Sequence, residues 1–126
     1  MPSHHLIDPE LLPLLELMPT RSFGMEHIPQ LRALSEGRFA FLDVPPLAPQ
    51  QLTIAGPGGD LDLYLYDPLP RRAGRGALLH GHGGGMIMGS ARTMQHGPSA
   101  IAAATGTLVA SVEYRLAPEH PFPAPQ

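Results

Sequence analysis

A chain of 126 residues with 43% hydrophobic content is long enough to bury the core of a single domain. Its formal charge of -3 comes from 11 acidic and 8 basic residues spread without blocks, which excludes the electrostatic footprint that nucleic acid or an anionic membrane surface requires. All 8 basic residues are arginine and cysteine is absent, so a P-loop lysine, disulfides, thiolate zinc sites and cysteine nucleophiles are excluded too.

From the N-terminus, Met1 to His5 carry no basic n-region, and Leu11 to Met18, interrupted by Pro13, is too short for a signal core or a membrane span. A soluble, cytoplasmic protein is expected. Asp8-Pro9-Glu10 reads as a helix start, with Asp8 as N-cap, Pro9 at the first helical position and Glu10 where the dipole favours an acid. That helix should run to about Met18, disturbed by Pro13 and ended by Pro19. A second helix is predicted over Ile28 to Glu36, with Leu31 and Leu34 on one face and Gly37 as its stop.

The prolines of Val44 to Gln50 remove the donors a central strand needs, so this stretch reads as a linker. Gln51 to Ala55 and Leu61 to Tyr66 then alternate in the strand period around the turn residues Gly56 to Asp60, predicting an antiparallel hairpin with a wet outer face. A short apolar strand follows at Gly76 to Leu79. Thr93 to Ala104 is predicted as a helix capped by Thr93, packed through Ala100, Ile101, Ala103 and Ala104 and stopped by Gly106. Thr107 to Tyr114 makes a buried strand. Strand, helix, strand within this span is a βαβ unit, whose two strands should be parallel.

The run His82-Gly83-Gly84-Gly85 directly after the 76–79 strand is the most informative feature. A dinucleotide fingerprint fails on spacing, because counting from Gly81, Gly83 or Gly56 lands on Met86, Met88 or Leu61 where its last glycine belongs. His80 and His82 could share one side of an extended segment, but a two-metal hydrolase cluster would need an acid at Gly84 and a histidine at Gly85. A plain strand-to-helix turn needs only one glycine. Three in succession leave backbone N–H groups free to converge on a developing negative oxygen, the geometry of acyl transfer.

The segment from His82 to Ser90, followed by a helix, a strand and Glu113-Tyr114-Arg115-Leu116-Ala117-Pro118-Glu119-His120-Pro121-Phe122-Pro123-Ala124, resembles the hormone-sensitive-lipase-like (fold-3) branch of the α/β-hydrolases. The hairpin turn Gly56 to Gly59 looks like that family's first two strands, so the likeness covers essentially the whole chain. It implies an α/β fold, an incomplete α/β-hydrolase with a helical cap-type segment at 1–43 and the N-terminal portion of the core at 44–126. It implies a carboxylic-ester hydrolase acting through a serine acyl-enzyme on a small-molecule ester, with no cofactor and no metal. By similarity Gly84 and Gly85 supply the oxyanion N–H groups, Gly83 shapes the turn, and His82 orients the loop rather than serving as a base, while His80 has no motif-based role. The 114–123 segment would be the scaffold that positions this loop, with Arg115 pairing with Glu113 or Glu119. An aromatic residue before proline raises the chance of a cis bond at Phe122-Pro123.

The departure from the family is the nucleophile. Ser99 follows Gly97 but precedes Ile101, Ser35 precedes Gly37 but follows Ala33, and Ser3, Ser22, Ser90 and Ser111 match neither side of Gly-x-Ser-x-Gly. With no elbow and no triad, the chain as written is expected to be inactive alone, an esterase part awaiting its C-terminal half. The alternative is a non-catalytic remnant or a partner-binding fragment. In the family's sheet the strand beyond 77–79 carries the nucleophile, so here that strand becomes an open apolar edge through which the chain is expected to self-associate.

Overall fold

The computed structural model describes residues 4–17, 24–39, 45–70 and 73–124. The elements are α1 (Leu12–Leu17), α2 (Ile28–Phe39), β1 (Gln50–Gly56), β2 (Gly59–Tyr66), β3 (Ala77–Gly81), α3 (His96–Thr105) and β4 (Leu108–Glu113).

Asp8 caps as its sequence context predicts, its carboxylate accepting the Glu10 N–H at 3.0 Å. The cap opens a 3-10 turn at Pro9–Leu11 before α1 begins. Pro13 therefore falls in the first turn of α1, where an N–H has no intrahelical acceptor, and does not disturb it. The expected end at Met18 and Pro19 lies outside the described residues. In α2 the expected stop fails, since the helix runs through Gly37 to Phe39. A glycine inside a helix costs only about 1 kcal/mol relative to alanine, which is not enough to end one.

The hairpin is tighter than predicted, with Gly56 opposite Gly59 across the two-residue turn Pro57-Gly58. Its faces also differ from the expectation of a wet outer side. Gln51, Thr53 and Asp62 share a face with Tyr64 and Tyr66, and Asp62 accepts from Thr53 Oγ1 at 2.6 Å and from Gln51 Nε2 at 3.2 Å. The other face carries Leu52, Ile54, Leu61, Leu63 and Leu65. It remains apolar because period-2 alternation separates two sets of residues without saying which set a later element will cover.

The sheet order is β1-β2-β4-β3, antiparallel from β1 to β2 and from β2 to β4, and parallel between β3 and β4. The predicted βαβ unit is thus present, with α3 between its strands. The core between α3 and the sheet comprises Tyr64, Tyr66, Ala91, Ala102 and Val109. Helix α3 starts at His96, later than predicted, because Thr93 is used in a preceding turn where its N–H meets Ser90 Oγ at 3.0 Å. It buries Pro98, Ser99 and Ala102 rather than the expected Ile101, Ala103 and Ala104, which are exposed. Gly106 ends it as predicted, in the left-handed conformation (φ 68°) with its N–H on the Ala102 carbonyl. Among the described residues β3 pairs only with β4, and Leu79 on that edge is 76% exposed.

Candidate functional site

Strand β3 delivers the chain into a loop whose backbone leaves the ordinary L-residue regions at Gly84 (φ 128°), Gly85 (φ 61°), Met86 (φ 62°) and Gly89 (φ 86°). At Gly84 a side chain is sterically impossible as well, since a Cβ there would overlap the Met88 carbonyl. Gly83 has open space beside it and no positive φ. The Gly84 carbonyl folds the loop back by accepting the N–H groups of Ile87 and Met88, each at 3.2 Å. Among the described residues no acceptor takes the N–H of Gly84 or Gly85. Gly84 lines a cavity of about 590 Å³ together with Leu31, Leu34, Ser35, Gly83, Met88 and Met94. The arrangement offers two adjacent donors without an acceptor among the described residues, with Gly84 at the edge of an apolar space, which suits a small anionic oxygen carried on an apolar group.

His82 is fixed from three sides. Its Nδ1–H donates to the Gly83 carbonyl at 2.9 Å, its ring stacks on Tyr114 with centroids 4.0 Å apart, and Tyr114 Oη donates to the His82 carbonyl at 2.7 Å. The imidazole has no solvent exposure, and its Nε2, 3.9 Å from Glu113 Oε1, makes no hydrogen bond. The ring is therefore enclosed, with its Nδ1 side tied to the loop backbone. His80 turns to Ser111 Oγ at 2.9 Å, and burial, with a smaller contribution from His82, lowers its pKa. Burial, then the nearby Glu113, raises that of Tyr114.

The 114–123 segment packs against this loop, the Ala117 N–H reaching the Met86 carbonyl at 2.9 Å. Phe122-Pro123 is cis, and so is Ala117-Pro118, which nothing in the sequence marked. The expected pairing of Arg115 with Glu113 or Glu119 is not found. Arg115 donates to the Gly58 carbonyl at 2.8 Å, filling the space a Gly58 side chain would need. Glu113 accepts from the Arg92 backbone, and both oxygens of Glu119 are taken by Arg32 at 2.8 Å. Hydrogen bonding from Arg32 holds the Glu119 carboxyl at about 2. Arg32 is the participant that sequence reasoning missed, because nothing local distinguishes it from the other arginines.

Described serines with side-chain bonds are committed elsewhere: Ser99 Oγ accepts from Leu47 N at 2.7 Å and donates to Leu47 O at 3.0 Å, and Ser111 and Ser90 bond His80 and Thr93.

Residues 78–126 match the alpha/beta hydrolase fold family. The chain is 36% identical over 124 residues to Esterase LipI of Mycobacterium tuberculosis, covering 94% of this chain and 38% of that protein. Among solved structures, an esterase of Pyrobaculum calidifontis aligns with a TM-score of 0.71 at 33% identity, covering 94% of this chain and 38% of that one. The chain has the alpha/beta hydrolase fold and resembles esterases built on it.

Its likeness is to the N-terminal part of hormone-sensitive-lipase-like esterases. A bacterial heroin esterase superposes with a TM-score of 0.74 at 30% identity, over 94% of this chain and 39% of that one. The chain thus spans well under half the length of the relatives it matches. Among the described residues, no helix is long and apolar enough to cross a membrane.

Proposed function

We propose that this chain supplies the oxyanion-binding part of a carboxylic-ester hydrolase, with the N–H groups of Gly84 and Gly85 stabilising the tetrahedral oxyanion of a small-molecule ester. The observation that carries this reading is the pair of adjacent glycine amides that no acceptor takes among the described residues, with Gly84 lining an apolar cavity. Carboxylesterase lineage in the relatives supports it. His82 and Gly83 shape the loop through the ring-to-carbonyl hydrogen bond. Residues 1–43 serve as the cap-type segment, residues 44–126 as the core portion, and a cysteine-free chain suits the cytoplasm.

Oxyanion donors lower a barrier only when a nucleophile attacks, and the chain has no Gly-x-Ser-x-Gly turn to provide one. The test is hydrolysis of p-nitrophenyl acetate by the 126-residue chain, alone and mixed with a polypeptide supplying the remaining strands and triad. No saturable turnover alone and turnover in the mixture is the expected result. Saturable turnover by the chain alone overturns the assignment of the nucleophile to the missing half. A second reading, a non-catalytic piece that binds a partner or itself, draws on the exposed β3 edge at Leu79, and failure of the mixture to hydrolyse ester favours it.

A further inference from the structure

We infer that Arg32, on α2, is the positioning residue that holds the glycine loop in its working shape and makes that shape depend on the N-terminal helix. The inference rests on the oxyanion reading for its catalytic consequence, but the clamp itself is a matter of geometry. One guanidinium serves three acceptor groups: Nε donates to the Ile87 carbonyl, Nη2 to the Ala117 carbonyl, and Nη1 and Nη2 to the two oxygens of Glu119, each at 2.8 Å.

The loop needs such support. Four of its residues have positive φ, and Met86, which is not glycine, holds a conformation that L side chains rarely adopt and that persists only where the surroundings enforce it. Hydrogen bonds enforce it from three directions. The Gly84 carbonyl takes Ile87 and Met88 from within, the Met86 carbonyl takes the Ala117 N–H, and the Ile87 carbonyl takes Arg32. Ala117 donates to the loop while its own carbonyl accepts from Arg32, so a single side chain braces both the loop and the segment that packs on it. Neighbouring residues on the same helix, Leu31 and Leu34, wall the cavity beside Gly84. Displacing α2 therefore opens the cavity and releases the loop together.

Lysine cannot replace this residue, because a point charge on a flexible stem does not satisfy three acceptors placed around a planar fork. Hydrogen exchange of the 126-residue chain and its R32K variant tests the clamp without needing activity. The expected result is exchange at Ile87, Met88 and Ala117 faster by about tenfold or more in R32K, with β2 and β4 amides unchanged. Equal exchange at those three amides in both proteins overturns the proposal.

The catalytic consequence is read in the chain completed by the missing strands. R32K and R32Q should each lower kcat about 10- to 100-fold, approaching the loss of an oxyanion donor itself, with KM changed less than about threefold. E119Q, which leaves the bonds to Ile87 and Ala117 in place, should lose less. A loss confined to KM overturns the link between the clamp and the loop. Should the completed wild-type chain hydrolyse no ester, the functional reading fails, while the exchange result still decides the clamp.

Discussion

The imidazole of His82 lies flat on the phenol ring of Tyr114, 4.0 Å between centroids and 8° between planes, and the Tyr114 hydroxyl returns a hydrogen bond to the His82 carbonyl. One residue just past β3 is thereby tied to one just past β4, so the two parallel strands of the βαβ unit are locked together where the glycine loop begins. Tyr114→Phe keeps the stack and deletes only the hydroxyl donor. The expected loss is about 1 kcal/mol of stability in urea unfolding, the net worth of a typical hydrogen bond.

The glycines of the loop are not equivalent. Gly84→Ala forces a Cβ onto the Met88 carbonyl at a φ that L residues avoid, whereas Gly83→Ala enters open space. In the completed chain, G84A should lower ester hydrolysis by about 10²-fold or more, while G83A stays near wild type in turnover. Denaturation midpoints should follow the same order, and a G83A as damaging as G84A would contradict the proposed division of roles.

Acid stability should report the Arg32–Glu119 pair. The Glu119 pKa is depressed from an ordinary 4.5 to about 2, chiefly by hydrogen bonding from Arg32. Its contribution is therefore fully present above pH 4.5 and lost as the pH falls toward about 2. Stability curves of wild type and E119Q should run apart above pH 4.5 and converge below it. Parallel curves across that window would show that the pair adds nothing.

Ser99, the one serine with a glycine two positions before it that sits on a core helix, is wholly buried and bonded both ways to the Leu47 backbone. Ser99→Ala strands that backbone N–H and C=O and should cost about 1–3 kcal/mol. It should leave hydrolysis by the completed chain unchanged at temperatures where the variant is folded. A collapse of activity with stability intact would make Ser99 more than a structural residue.

Leu79 is the most exposed large apolar side chain of β3. Charged residues on open strand edges suppress edge-to-edge pairing. If the chain self-associates through this edge, Leu79→Arg should shift sedimentation toward monomer, whereas a wild-type chain that is already monomeric would remove the edge as an interaction surface.

Local signals carried the secondary structure well. The Asp8 cap, the Gly106 stop, the hairpin and the strand-helix-strand order each rest on residues a few positions apart, and they hold because backbone conformational limits act over that range. Where they erred, as with Gly37 and Thr93, a modest local preference met a helix or a turn that its neighbours stabilised more strongly.

What this sequence determined by itself was the glycine loop as the place of interest, because the demand for glycine at Gly84 is written into the backbone and needs no distant partner to be recognised. The tertiary structure alone decided how that loop is held. Arg32 meets Glu119 across 87 positions, and Ser99 meets Leu47 across 52. With 8 arginines and 11 acids available, no pairing can be read from charge alone. Only chain closure brings one guanidinium within reach of three particular acceptors, since hydrogen bonds demand distance and direction that composition does not encode.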